Sequence, residues 1–358
     1  MTLDNVMGVT IQPYIGFLSD RTKTRFGRRM PYILVGAPIA AVLFALAPEI
    51  VASGVVVLLV VLFVFNLAMA LYRTPVISLM PDVTPSKFLS PANGIINFMG
   101  GVGAILAFFG GGYVYTYFGR ASPFWLSSGI LVASTALLFL KVREPAIVGE
   151  GAQGGGFVES LRSMFAELRR IFVESKDKSG AAILLAIYFW FIGYNAVETF
   201  FTSYGKWYLG IDEGYASFIL GYLAVAFVLF SIPSGYLALK LNRRRVIMLG
   251  LIGGLVFLTV PVLTTSVALV SASVAVLGIF WAFINISSLP IVANLAPSGQ
   301  TGGYVGLYYL FSTTAAITAP PVAGLLVDLA STYVVIFPFA IVAFAVAAIL
   351  MSKVRSGV

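Results

Sequence analysis

Apolar residues in this chain neither alternate nor recur on one face; they run on. Eleven stretches are almost continuously hydrophobic: roughly 1–18, 31–48, 54–80, 92–118, 122–140, 181–204, 214–239, 246–264, 270–293, 302–327 and 331–352. About 20 apolar residues in helical conformation cross the hydrocarbon of a bilayer. The pattern therefore predicts an all-α membrane protein with eleven transmembrane helices. A barrel would need segments of about ten residues with alternating polarity, and the chain has none of that pattern.

One segment has a different period. Phe157, Leu161, Met164, Phe165, Leu168, Ile171 and Phe172 recur at helical spacing, while Glu159, Arg162, Glu167, Arg169 and Arg170 take the other faces. That predicts an amphipathic helix lying along a membrane surface. The glycine-rich run Gly149–Gly156 before it has the composition of a flexible linker. The competing reading is a linker with no task beyond connection. The chain thus divides into an N-terminal bundle (1–141), a cytoplasmic linker (142–180) and a C-terminal bundle (181–358).

Composition sharpens the class. With 358 residues, 59% hydrophobic and 10% charged, and a mean hydropathy of +0.99, the chain lies far outside soluble averages. The net charge of +8 could suggest a nucleic acid partner. Its distribution says otherwise: once the loop at 19–30 is placed in the cytoplasm, alternation puts every Lys and Arg there except Arg73, Arg120 and Lys206. That asymmetry is how cations set membrane topology. The central linker and the C-terminus fall on the same side, in a multi-pass cell-membrane protein. Cysteine and histidine are both absent, which removes disulfides, the commonest transition-metal ligand and the usual proton shuttle. No metal, cofactor or nucleic acid is expected, and enzymatic constellations are missing.

The loop Asp20–Arg29 holds five cations between two apolar stretches. Its order is informative: Gly16-x-x-x-Asp20-Arg21 followed by Gly27-Arg28-Arg29 resembles the loop between helices 2 and 3 of the major facilitator superfamily of transporters. The spacer Thr22–Phe26 resembles the sucrose transporter and glycoside–pentoside–hexuronide cation symporter branch, and Ile11-Gln12-Pro13 the sucrose side of it. The resemblance implies two pseudo-symmetric six-helix bundles, alternating access by their rocking, and a gating role for Gly16, Asp20, Arg21, Gly27, Arg28 and Arg29. It also implies that the family's first helix is missing here and that Met1 lies near the start of its second, because the signature loop follows the first span, which has only about 13 apolar residues after Asn5.

An internal repeat supports two halves independently. Gly16 is echoed by Gly235, Pro75 by Pro290 and Gly112 by Gly324, at nearly constant offsets along the chain. Parallel repeats of this kind place a substrate near the bilayer midplane.

Chemistry should lie where polar groups enter the spans, because a charge at the bilayer centre costs about 2.5–3.5 kcal/mol or more. Arg73 lies in the third span with Asn66 two turns earlier, and its planar fork suits hydroxyl pairs or carboxylates. The competing reading is an interfacial arginine reaching the headgroups. Glu198 lies in the sixth span among apolar and aromatic residues, with Tyr194 and Asn195 on its side. There it could exchange a proton in response to substrate and solvent access; the alternative is a glutamate hydrated near the extracellular face. Asn97, Trp281 and Asn285 supply amide groups and an aromatic face of the kind that binds sugars.

The sodium symporters that the chain resembles carry a carboxylate directly before the proline, where this chain has Gln12. The sequence reading is therefore a monomeric, proton-coupled symporter of a glycoside, a disaccharide such as sucrose or maltose, with no cofactor. The alternatives are a facilitator or exporter of another small organic solute, or an inactive truncated transporter.

Overall fold

A computed structural model describes residues 2–50, 54–144 and 157–355. The run Gly149–Gly156 lies outside the described residues. Twelve α-helices follow in order: α1 Thr2–Arg21, α2 Met30–Ile50, α3 Val55–Val83, α4 Leu89–Phe118, α5 Ser122–Lys141, α6 Phe157–Arg169, α7 Ser179–Trp207, α8 Glu213–Leu241, α9 Arg243–Leu263, α10 Val267–Leu295, α11 Thr301–Ala330 and α12 Ile336–Ser352. Among the described residues, ten helices are long and apolar enough to cross a membrane. The α1 helix is also 20 residues long but more polar than those ten. The α6 helix is the expected amphipathic one, and a π-helical turn at Arg170–Glu174 ends it.

Proline sits inside many of these helices, at Pro13, Pro75, Pro233 and Pro290 among others. In a soluble helix each would cost about 3 kcal/mol; in membrane helices, neighbours and local adjustments satisfy the freed carbonyls. Side chains such as Val55, Val56, Leu59 and Val60 on α3 stay exposed. An apolar rim of this kind suits lipid.

By contact, the chain forms two compact units: Met1–Pro85 with Met99–Glu167 and Ala296–Leu310, and Ser86–Phe98 with Leu168–Leu295 and Phe311–Val358. In the first unit, α2 packs on α3 and α5, and α1 packs on α3. Met30, Ile33 and Leu79 form a core against Val76, Leu138 and Val142. In the second unit, α10 packs on α8 and α9, and α12 on α7 and α9. Its core joins Ile192 and Ala196 of α7 to Ala315, Ala319 and Ala323 of α11 and Ala343 of α12. Small residues let these helices approach closely where lipid offers no hydrophobic gain.

Each unit also contains one very close helix crossing. In the first, α1 meets the start of α11: a Cβ on Gly16 would collide with the Gly302 carbonyl oxygen. In the second, α8 meets the start of α4: a Cβ on Gly235 would lie 2.6 Å from the Ser90 carbonyl oxygen. Gly16 and Gly235 are repeat partners, and Ser90 and Gly302 stand at the same interval along the chain as Gly112 and Gly324. The two crossings are therefore copies of one contact.

Candidate functional site

The loop between α1 and α2 is a closed turn. Thr24 Oγ1 donates to the Gly27 carbonyl at 2.6 Å, and Gly27 N donates to the Thr24 carbonyl at 3.1 Å. Gly27 has φ +108°, a region L side chains rarely adopt, and a Cβ there would sit 2.5 Å from the Glu144 carboxyl carbon. Glu144 explains the crowding. Its carboxylate accepts from the backbone N–H groups of Arg28 (2.8 Å), Arg29 (2.9 Å) and Met30 (2.8 Å), the open N-terminus of α2. An anion at the positive end of a helix dipole, taking amides that the helix cannot satisfy itself, is favourable on both counts.

Behind this turn two arginines and two aspartates interlock. Arg29 NH2 donates to Asp20 Oδ1 at 2.5 Å and Arg29 Nε to Asp82 Oδ2 at 2.9 Å, while Arg29 NH1 donates to Ser19 Oγ. Arg28 NH2 donates to Asp82 Oδ1 at 2.7 Å, and Arg28 NH1 to the Gly299 carbonyl at 2.7 Å. All four side chains are at most 10% exposed. Burial alone would favour neutral guanidine at Arg29, but Asp20 and Asp82 outweigh it and hold its proton above the ordinary arginine range. Removing one member of a buried ion cluster costs about 3–5 kcal/mol, because the remaining charges stay buried.

Asp20 ends α1, where the helix dipole opposes an anion. Its oxygens instead accept from Gly302 N at 2.9 Å and Gly303 N at 2.6 Å, the first amides of α11. The helix end that repels the carboxylate is thus offset by another helix end that attracts it. The arrangement ties α1, α2, α3 and α11 together through Asp20, and every gate-motif residue named from the sequence except Arg21 belongs to it. Arg21 turns the other way, to Glu159 and Ser163 of α6.

The second unit has a counterpart without the acid. Arg243, at the start of α9, donates through Nε to Ser90 Oγ at 3.0 Å and through NH2 to the Ser86 carbonyl.

The membrane-embedded candidates fall into separate groups. In the second unit, Tyr194 OH donates to Glu198 Oε1 at 3.4 Å, and the Tyr194 ring lies flat on Trp281, with centroids 4.0 Å apart and planes 4° apart. Phe191 meets Trp281 edge-on at 5.3 Å. Tyr194 and Glu198 also line a largely apolar cavity of about 80 Å³ with Leu220, Leu223, Leu258 and Leu277. Glu198 itself stays exposed. Asn195 gives an amide hydrogen to the Phe191 carbonyl of its own helix. Asn97 bonds to Asn93, and Asn93 reaches across to the Ile286 carbonyl of α10 at 2.9 Å. Asn285 lends its backbone carbonyl to Ser288 Oγ. In the first unit, Arg73 is exposed, with its guanidinium over the Tyr309 ring of α11 at 5.8 Å. Asn66 bonds to the Leu62 carbonyl of its own helix.

Sequence reasoning missed Glu144, Asn93, Tyr194's stacking on Trp281, and Asp82's place in the arginine cluster. Glu144 carried no local signal, since its partners lie 114–116 residues earlier. Asp82 is the acid at the end of the third apolar stretch, a position that could have suggested a cationic partner.

The sequence matches the Major Facilitator Superfamily profile over residues 1–210 and 206–356. The chain belongs to the Major Facilitator Superfamily. Among curated proteins it is similar to the MFS-type transporter ppzB of Metarhizium majus (strain ARSEF 297), 31% identical over 120 residues; that stretch is 32% of this chain and 25% of the relative's length. Among solved structures it resembles the E. coli fucose:proton symporter FucP, with TM-score 0.77 and 16% identity over 99% of this chain and 90% of that one. It also resembles the human organic anion transporter MFSD10, with TM-score 0.78 and 14% identity over 98% and 82% of the two chains. At these identities the structures share the fold alone.

Proposed function

We propose that this facilitator is a proton-coupled symporter that imports a glycoside, a disaccharide such as sucrose or maltose, by alternating access, within the sucrose transporter and glycoside–cation symporter branch. The observation that carries the reading is Glu198: a carboxyl within a span, held by a tyrosine and edged by an apolar cavity. Such a group can trade its proton when its surroundings change, and a proton moving with solute draws on about 2.3 kcal/mol per 100 mV of membrane potential. Sodium coupling is less well supported, because the position before Pro13 is Gln12, a neutral side chain.

Arg73, Asn66, Asn97, Asn195, Trp281 and Asn285 are the proposed solute contacts. A guanidinium and planar amides match paired hydroxyls. The Asp20 cluster is the proposed cytoplasmic latch: while Asp20 holds the first amides of α11, that end of α1 and α11 cannot part. The second reading is a facilitator or exporter of another organic solute. The exposed Arg73 favours it, since an arginine also suits an organic anion.

One variant separates the two. Glu198→Gln imitates the protonated carboxyl permanently. In proteoliposomes with radiolabelled sucrose and maltose, it should keep counterflow yet lose accumulation driven by a pH gradient. Accumulation equal to the unmodified protein would place coupling elsewhere and make uniport the leading account.

A further inference from the structure

The latch is braced from outside by α6, through residues to which the gate motif gives no role. Arg21, at the end of α1, pairs with Glu159 at 3.2 Å and donates to Ser163. Two turns further along α6, Glu167 accepts from the Tyr304 hydroxyl at 2.5 Å. Tyr304 stands on the first turn of α11, beside the Gly302 and Gly303 amides that hold Asp20. The two grips differ in setting. Glu159 is mostly exposed, with 58% of its side chain accessible against 17% for Arg21, so water reaches this pair from one side and weakens it. Glu167 and Tyr304 are buried, at 8% and 3% exposed.

We infer that α6 is a strap across α1 and α11, and that the buried Glu167–Tyr304 contact is a gating element that biases the protein toward the latched state. The geometry requires a choice. If α1 and α11 separate, α6 cannot keep both Arg21 and Tyr304 at hydrogen-bonding distance, so opening must break one end. The Arg21–Glu159 end, open to water from the glutamate side, yields first and is replaced by water. The buried Tyr304 end leaves a carboxylate and a hydroxyl to be rehydrated, so it opposes separation more strongly. Met164, one turn before Glu167 on α6, is buried as well. This assignment concerns the latch and holds whichever solute is carried and whether or not Glu198 couples protons.

The chain lacks cysteine, so the test can use two introduced ones. Lys23→Cys and Ser298→Cys, both at exposed positions near the ends of α1 and α11, carry spin labels whose separation reports the latch in detergent or nanodiscs. Tyr304→Phe keeps the ring and removes the hydroxyl; Glu167→Ala removes the carboxylate. Each should raise the long-distance, unlatched population about five-fold, the effect of losing one hydrogen bond. The double variant should do no more than either single one, and Glu167→Gln, which can still accept from the tyrosine, should restore most of the latched population. Unchanged distance distributions in properly inserted Tyr304→Phe and Glu167→Ala would overturn the inference. A lower melting temperature with unchanged distances would do so too, since α6 would then be an anchor and not a gate. Labels report the latch without transported solute, so loss of the symport reading leaves this result intact.

Discussion

At the scale of single residues, the gate motif resolves into separate physical demands. Gly27 is required because its backbone is left-handed and Glu144 occupies the space a side chain would need. Arg29 is required because two buried aspartates and a serine converge on one guanidinium, whose three nitrogens point to three partners. A lysine offers one point charge and could not span them. Asp20 is required because both its oxygens are taken by amides of another helix. Asp20→Asn should therefore unlatch the protein without disturbing insertion, since the cations that set topology remain. Charged hydrogen bonds are worth about 1.5–3 kcal/mol, so the unlatched fraction should rise roughly ten-fold or more. Protease accessibility of the loop at 19–30 in oriented vesicles, or maleimide labelling of a cysteine introduced at Lys23, would check this; unchanged accessibility would reduce the motif to a topology signal.

At the scale of elements, the repeat has a mechanical meaning. Each sequence half lends a glycine, Gly16 or Gly235, to a crossing with the first turn of a helix from the other half. The crossings are alike in backbone geometry but differ in electrostatics. The α1–α11 crossing has an anion on a helix N-terminus, whereas the α8–α4 crossing has Arg243 on a hydroxyl and a carbonyl. The second should be weaker and more easily forced. Gly235→Val would drive a side chain into the backbone of α4. Ser231, fully buried on α8, then becomes a useful reporter: a cysteine placed there should react with maleimide several-fold faster in the Gly235→Val background. Equal reaction rates would show that the crossing tolerates the side chain and carries no gating strain.

At the scale of the whole molecule, charge decides orientation and packing decides everything finer. We expect the loop at 19–30 and the α6 segment to face the cytoplasm. Single cysteines replacing Lys23 and Lys176 should therefore label only after the membrane is made permeable. Cysteines replacing Arg120 and Lys206 should label from outside in intact cells. The reverse pattern would invert the proposed direction of the latch.

The run of apolar stretches was enough to determine the helices, because a bilayer core leaves the backbone no polar partner except itself. The α6 segment was legible for the complementary reason, a single apolar face at helical period. The gate motif was readable as a string, and an anion at Asp20, after the C-terminus of an apolar helix, calls for a cation or another helix's N-terminus nearby. Which helix answered was not readable: α11 belongs to the far end of the chain, and hydropathy carries no information about partners at that distance. Glu144 and Tyr304 were invisible on the same ground. A glutamate after a span and a tyrosine opening one look like any other, and their roles arise only when the fold brings them to three open amides and to a buried carboxylate. The membrane candidates divide similarly. Glu198 announced itself by being charged in an apolar run. Tyr194 beside it was legible too, four residues earlier on the same helix; only tertiary packing laid the Tyr194 ring on Trp281, joining the acid of α7 to an aromatic face of α10.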